Sequence, residues 1–517
     1  MSVEKSFSLS SIERSLSKCG LEDWWFHAKK VFGDRRFNVT VGELCSYAGL
    51  DSSLFSETVR ALLYRRVRQV SAVQPTFVKN SVCVQMYDDT VDDMRWAIRN
   101  GAIVVVTSEQ IDDLPCIVVD FPPLVYARMC RYYRELRNVS VTAVTGSIGK
   151  TTVKRMINEV YSKQYETFCD TVNYNVLYNV GYYVQHIPSH ARLMVQEVSE
   201  GSPGYVSPMS ISLKPRIACI TTMTCSHIEA FGSEEEIRKE TCSIVSGMEN
   251  DGIVVVDKDV FTDYHLLAGK KVLTVSATDP SADFYSHSVQ VTGEGLEFIM
   301  VDKRAQKECT VKMKLIYAQH NVTCALFAFA CGVLENVSYE NIVRGIESFK
   351  MLGMRQNIFT VQKDVLCYAD CFNAIPLSVK SAIDAAESVP VSGKRIAVLG
   401  DIAETGSLSG EVHREVVEYI NCSAVDEIII FGPELQQAWS LYGKKKAGMT
   451  LYMCSSHKEI IDTIKRTINS GDLILFKASH SSELRQVILK LWPKEYNRVI
   501  HEEREPYNLW IKQVKKS

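Results

Sequence analysis

Short, almost wholly apolar runs punctuate the chain, separated by stretches whose apolar positions recur at helical spacing. From Val139 onward the runs Val141–Thr145, Leu193–Val198, Ile217–Thr221, Gly252–Val256 and Lys271–Val275 are too short for independent helices. Their continuous apolar character is that of strands buried on both faces. Helical spacing occupies Val153–Tyr161, Glu234–Glu249 and Asn321–Leu334. Alternation of this kind predicts an α/β fold, a largely parallel sheet with helices on both faces. Ligands of such sheets gather at the carboxyl ends of the strands.

The same texture resumes after Met351, with strands predicted at Val365–Ala369, Arg395–Leu399, Glu427–Phe431 and Asp472–Phe476. This reads as a second, Rossmann-like domain. Ahead of Val139 stands a smaller α/β unit. Its strands fall at Ser81–Met86, Ala102–Thr107 and Cys116–Asp120, and its helices at Thr90–Asn100 and Pro122–Leu136. The first stretch reads as mainly helical: Leu21–Phe32 carries Trp24, Trp25 and Phe26, and Ser53–Arg68 is apolar at helical spacing and rich in Arg. The expected organisation is 1–75, 76–138, 139–350 and 351–517.

Composition changes this picture little. At 517 residues the chain exceeds what one hydrophobic core serves. A hydrophobic fraction of 46% and a charged fraction of 23% are ordinary for a soluble protein. A net charge of −3 offers neither a nucleic-acid footprint nor a basic membrane face. The 16 Cys are scattered, without a Cys-x-x-Cys pair, so zinc and redox motifs are not indicated. The polar start lacks a signal-peptide core, and no run reaches the roughly 18 apolar residues of a membrane span. A cytoplasmic protein, monomeric and without nucleic-acid partners, is the expectation.

Chemistry enters at Val141-Thr-Ala-Val-Thr-Gly-Ser-Ile-Gly-Lys-Thr-Thr152. A strand, a glycine-bearing turn and a helix N-terminus follow one another in the order a phosphate site requires. Gly146 and Gly149 let the backbone approach an anion closely, and the helix adds its positive dipole end. Lys150 is placed for the β/γ-phosphates and the Thr151 hydroxyl for Mg²⁺. Residue 144 is Val rather than Gly, so the loop is the shorter Thr-Gly-x-x-Gly-Lys-Thr form. Gly146, Ser147, Ile148, Gly149, Lys150, Thr151 and Thr152 are its nucleotide-binding candidates. Glu197 and His227 fall at or just beyond strand ends on the same rim.

Further motifs follow in order. They are Thr171-Val-Asn-Tyr-Asn-Val-Leu-Tyr-Asn-Val-Gly181, Val195-Gln-Glu197 with Pro203-Gly204, Lys214-Pro-Arg-Ile-Ala-Cys-Ile-Thr221 leading to Ser226-His-Ile-Glu-Ala-Phe-Gly-Ser233, and Gln319-His-Asn-Val322. Gly353-Met-Arg355, Ala369-Asp-Cys-Phe-Asn-Ala-Ile-Pro-Leu-Ser378, Val398–Gly406 and Phe476-Lys-Ala-Ser479 complete the set. Together they resemble the Mur ligase family over about residues 139–490.

The resemblance implies a three-domain Mur-ligase-like architecture: a central P-loop ATPase domain, a C-terminal Rossmann-like domain and a reduced N-terminal α/β domain. The helical N-terminal extension is additional. It also implies ATP-dependent amide ligation, in which a carboxylate is phosphorylated and the acyl phosphate is attacked by an amine. The family default is addition of D-alanyl-D-alanine to a UDP-muramoyl tripeptide in peptidoglycan synthesis. ATP and Mg²⁺ are the implied cofactors, and the substrates are small molecules. Lys150 would be catalytic, with His227; Thr151, Glu197 and His227 would hold metal. Asn321, Arg355 and Asp370 would contact the nucleotide, and Asn173, Asn175, Asn373 and Lys477 the other substrates.

Three departures stand out. Thr241 occupies the position of the family's carbamylated lysine, with Lys239 nearby on another helix face. The first α/β unit lacks the Ser-Arg and Asp-Gly-His signatures that accompany UDP-sugar recognition. Phe372-Asn-Ala-Ile-Pro376 and Lys477-Ala-Ser-His480 replace Tyr-Asn-Ala-Asn-Pro and Lys-Gly-Ser-Arg. Two other readings therefore stay open: a relative acting on a different carboxylate in a cell-surface or secondary-metabolite pathway, and a nucleotide-binding scaffold that has lost ligation.

Overall fold

The computed structural model describes residues 39–73, 76–170, 175–223 and 228–502. Trp24, Trp25 and Phe26 lie outside them. The described residues form two compact units, one comprising those up to Arg137 with Val176–Ser189, the other Asn138–Asn175 and His190 onward.

In the first unit Thr40 and Glu43 form a reciprocal capping box that starts a helix at Val41–Tyr47. Strand β1 (Val39–Thr40) pairs antiparallel with β2 (Arg66–Val67). The stretch Ser53–Arg68 is therefore not one helix. It holds a single helical turn at Glu57–Arg60 and then β2. Leu54 and Tyr64 are 82% and 89% exposed, so its apolar spacing marks no buried face, and the pairing with β1 decides the conformation.

A four-stranded parallel sheet follows, in the order β3 (Val70–Ser71), β4 (Val82–Val84), β5 (Val104–Thr107) and β6 (Cys116–Val118). Its first strand thus begins ahead of residue 76. Helices Val91–Arg99 and Pro122–Glu135 agree with the sequence pattern. The Leu177–Gln185 helix also belongs to this unit. Its Gly181 faces Tyr126 so closely that a Cβ would lie 2.4 Å from the ring, and Tyr126 Oη donates to the Tyr178 carbonyl at 3.0 Å. At the outer edge of β3, Gln185 accepts from the Val70 N–H at 2.8 Å and donates to the Val70 carbonyl at 2.9 Å. The amide thereby satisfies an edge that would otherwise be unpaired.

The second unit contains two sheets. The larger has nine strands: β7 (Ser140–Thr145), β8 (Thr167–Cys169), β9 (Leu193–Glu197), β10 (Ile217–Ile220), β11 (Ile253–Asp257), β12 (Lys271–Ser276), β13 (Phe284–Thr292), β14 (Gly295–Asp302) and β15 (Lys307–Lys314). Their spatial order is β15-β14-β13-β12-β11-β10-β7-β9-β8. All pairs from β13 to β8 are parallel, and β13, β14 and β15 form an antiparallel meander. The apolar-run reading missed that meander because polar residues alternate along it, as in Phe-Tyr-Ser-His-Ser-Val-Gln-Val-Thr. Helices Lys150–Tyr161, Asn321–Leu334 and Tyr339–Ser348 share the core over this sheet. The predicted Glu234–Glu249 helix ends at Cys242 and tightens into a 3₁₀ turn over Ser243–Gly247.

The smaller sheet is ordered β16 (Asn357–Thr360), β17 (Leu366–Asp370), β21 (Leu473–Lys477), β18 (Arg395–Gly400), β19 (Glu427–Phe431) and β20 (Thr450–Cys454), parallel except for β16. Ala397 and Leu399 enter one core with helices Pro376–Ser388, Ser409–Ile420 and Pro433–Tyr442, while Ile396 and Val398 enter the other with His457–Thr467 and Leu484–Leu491. The period of two along one strand thus serves helices on both faces.

Candidate active site

β7 lies between β10 and β9, and the loop after it opens where the chain's direction across the sheet reverses. In open α/β sheets that is where ligands bind. Gly146 has φ 118°, and a Cβ there would stand 2.3 Å from Thr221 Oγ1. The N–H groups of Ser147 and Ile148 donate to the Thr222 carbonyl at 2.9 and 3.2 Å, pinning the loop to the chain beyond β10. Two of the loop amides expected to face an anion are thus engaged by protein. Gly149, at φ 86°, caps the Lys150–Tyr161 helix. The first-turn N–H groups of Lys150, Thr151 and Thr152 have no acceptor within a helix by construction, and the helix dipole adds to their pull on an anion.

Charged side chains converge just beyond. Thr151 Oγ1 donates to Glu197 Oε2 at 2.9 Å, and Asn175 Nδ2 donates to Glu197 Oε1 at 2.9 Å. Lys154 lies 3.7 Å from Glu197 Oε2 and pairs closely with Asp170, whose other oxygen accepts from Gln196 Nε2 at 2.9 Å. Lys150 Nζ donates to the Gly146 carbonyl and, at 3.1 Å, to Glu200 Oε1. Burial pushes the Glu197 carboxyl up, but the charges of Lys154, Lys150 and Arg355 outweigh it and hold the group below its ordinary value. Asp170 goes the other way, to about 6, because burial and the Glu197 charge exceed the help of Lys154.

These groups fit a hard cation. The Thr151 hydroxyl and the Glu197 carboxylate are oxygen donors already in contact. Among the described residues no three Asp, Glu, His or Cys side chains converge. Mg²⁺ suits such a place, since it takes one or two carboxylates and completes its shell with water and substrate phosphates.

A second group of residues forms one connected network. Asn321 starts its helix, wholly buried; its Nδ2 donates to the Ala318 carbonyl at 3.0 Å and to Gln356 Oε1 at 3.1 Å, while its Oδ1 has no partner in the protein. The Gln356 N–H donates to Asp370 Oδ1 at 3.2 Å, Asp370 Oδ2 pairs with Lys477 at 2.9 Å, and Lys477 donates to the Asn373 carbonyl at 2.7 Å. Arg355 stacks on Phe372, 3.5 Å from the ring centre. Asn321, Arg355, Asp370, Asn373 and Lys477 were all found by motif, and Gln356 was not.

Of the remaining sequence candidates, Asn173 and His227 lie outside the described residues. Thr241 is buried and donates its hydroxyl to the Ile237 carbonyl at 2.8 Å. Lys239 pairs with Glu235 and Glu236 at 2.8 and 2.9 Å on an exposed face. Glu240 caps the start of the Val206–Leu213 helix, accepting from the Gly204 and Val206 N–H groups at 2.9 and 2.7 Å. The sequence reading passed over Glu200, Lys154 and Asp170. The available signal was a lysine set among the apolar positions of the Val153–Tyr161 pattern.

Comparisons with known proteins bear on the domains that carry these residues. A model of the Mur ligase middle domain matches residues 144–332, and one of the Mur ligase glutamate ligase domain matches 354–480, together more than half of the chain. The UDP-N-acetylmuramoyl-tripeptide–D-alanyl-D-alanine ligase of Bacillus subtilis (strain 168) is 27% identical over 403 residues, 76% of this chain and 86% of that one. MurF from Acinetobacter baumannii superposes with TM-score 0.75 at 20% identity, over 89% of this chain and 100% of that one. MurF from Thermotoga maritima in complex with ADP gives TM-score 0.69 at 20% identity, over 86% and 99%. Two matched domains in order, together with the fold, place the chain in the Mur ligase family of ATP-dependent ligases that form C–N bonds.

Proposed function

We propose that this ligase phosphorylates the terminal carboxylate of a UDP-muramoyl tripeptide and couples it to the amine of D-alanyl-D-alanine, as the names of its relatives indicate. The observation that carries the nucleotide half is the Thr151–Glu197 hydrogen bond at the head of the phosphate-facing helix. Thr151 and Glu197 would hold Mg²⁺, with His227 assigned by resemblance. Mg²⁺ bound there supplies charge neutralisation for phosphoryl transfer. Lys150 neutralises the transferring phosphoryl group while the substrate carboxylate oxygen bonds to phosphorus and ADP leaves. The amine then attacks the acyl carbon, inorganic phosphate departs with the C–O pair, and the amine proton is lost. Asn321, Arg355 and Asp370 would position the nucleotide. Asn173 and Asn175 would line the carboxylate side, and Asn373 and Lys477 the amine side.

In domain terms, residues 139–350 would serve as the ATP-binding part, 351–517 as the part that closes on the nucleotide and receives the amine, and 76–138 as the substrate-side part, with 1–75 an extension. Cytoplasmic location and a monomeric state belong to the same proposal. No helix of the described residues is long and apolar enough to cross a membrane.

A second reading, ligation of another carboxylate, is favoured by the missing UDP-sugar signatures, while the Thr241 geometry, a buried hydroxyl satisfied within its own helix, bears on a scaffold that has lost ligation. ADP and phosphate release with Mg²⁺-ATP separates the two. Turnover confined to the muramoyl tripeptide and D-alanyl-D-alanine supports the first, and turnover with other acids supports the second. Nucleotide binding without acid-dependent turnover across a broad panel would leave a scaffold.

A further inference from the structure

Glu200 stands three residues past Glu197, in the turn between β9 and the Val206–Leu213 helix. Its side chain is wholly buried, in a place where a carboxylate needs every lone pair satisfied. Oε1 accepts from Lys150 at 3.1 Å, and Oε2, also buried, has no hydrogen-bond partner in the protein. A buried carboxylate held on one oxygen only is an incomplete arrangement.

Nucleotide binding makes it more so. Lys150 heads the helix that faces the phosphates, so a polyphosphate draws on the ammonium group that now serves Glu200. Whatever share the phosphate takes, Glu200 loses, and a buried carboxylate beside a polyanion is left short of counter-charge. Lys154 does not replace it, because its ammonium is held between Asp170 and Glu197. The cation that arrives with a nucleotide is divalent, and it prefers carboxylate and phosphate oxygens.

We propose that Glu200 becomes a ligand of a divalent cation when nucleotide binds, through the buried Oε2 that has no partner in the protein. Glu197 and Glu200 would then both be available to hold the cation, each through a buried carboxylate. This rests on the nucleotide reading of the loop and adds a residue that the family motifs did not single out.

The test is Mn²⁺ binding to the full chain, followed by electron paramagnetic resonance with and without saturating ADP, with ADP affinity measured separately. Glu200→Gln keeps the shape of the side chain, and its expected effect is a loss of at least about tenfold in Mn²⁺ affinity in the presence of ADP. Without ADP the two proteins should bind Mn²⁺ alike. Glu200→Asp, which keeps the charge, should recover part of the loss and carries the test if the amide variant does not fold. Wild-type Mn²⁺ affinity in the ADP-saturated Glu200→Gln protein would overturn the proposal, showing Glu200 to be a partner of Lys150 alone. Failure of the unmodified protein to bind ADP would overturn the nucleotide reading and this proposal together.

Discussion

The Thr151 hydroxyl reaches 2.9 Å across to Glu197 Oε2, tying the first turn after the phosphate loop to the last residue of the adjacent strand. Two residues far apart in sequence are thereby held as a pair of oxygen donors before any ligand arrives. Thr151→Val removes the hydroxyl without changing the shape. We expect Mg²⁺ dependence of nucleotide binding to shift by about 10–100-fold, with recovery in Thr151→Ser. Calorimetric titration of ADP at graded Mg²⁺ reads the shift, and an unchanged Mg²⁺ dependence would remove Thr151 from the proposed metal site.

In the proposed mechanism, Lys150→Ala takes away charge needed most when the phosphoryl group is in flight. The expected loss in kcat is at least about 100-fold, in the range found for other preorganised charge stabilisers. Measuring ADP release at saturating substrates isolates that step from binding. A wild-type rate would sink the proposed site.

How much of this was legible beforehand differs by kind of residue. The loop, Glu197 and the Asn321–Asp370–Lys477 positions were readable because each sits in a short motif at a strand or helix end. The inner parallel strands were readable because burial on both faces leaves a continuous apolar run, whereas the parallel edge strands β3, β8 and β20 were not. Strands β13 to β15 were not, since a meander with a partly exposed face mixes polar with apolar residues, and two-residue pairings such as β1 with β2 leave almost no pattern. Glu200 was hidden for another reason: its partner Lys150 is fifty positions away, and local spacing carries no trace of such a pair.

Asp257 ends β11, is 6% exposed, and accepts from the Asp259 N–H at 3.0 Å. Burial raises its carboxyl from 3.8 to about 6, against the opposing effect of that hydrogen bond. The folded state therefore holds a proton that the unfolded state has released between those values. Stability from this group is present below the unfolded pKa and is lost as pH rises through about 6. Asp257→Asn should abolish that slope, gaining on the parent protein by about 2 kcal/mol between pH 4 and 7. Urea unfolding of both proteins at the two pH values measures the difference, and parallel pH profiles would contradict it.

Gly345 lies against the Lys150–Tyr161 helix, where an added Cβ would sit 2.5 Å from Val160 Cα. The obstacle is backbone, so no rotamer change relieves it. Gly345→Ala should destabilise the second unit by about 1–3 kcal/mol despite the better helix propensity of Ala. A thermal midpoint at or above that of the parent would show that the helices separate freely.

Gln185→Leu should unsettle the first unit by leaving the Val70 N–H and carbonyl without their side-chain partners. Buried backbone groups so exposed cost about 1–3 kcal/mol each. Hydrogen exchange at Val70 is the direct readout, and retained protection there would mean that another group takes over the edge.

The position of β7 between β9 and β10 has a consequence for how the enzyme comes into being. Neither neighbour follows β7 directly in the chain, because β8 passes to the far side of β9 before the chain returns. Glu197 reaches Thr151 only when β9 has slotted in, and the loop is pinned at Thr222 only when β10 has closed the other side. A nascent chain that has emitted only the phosphate-loop sequence therefore has no phosphate site. If the loop holds nucleotide as proposed, affinity for it requires long-range pairing to be complete, which makes ADP binding a reporter of finished folding rather than an aid to starting it.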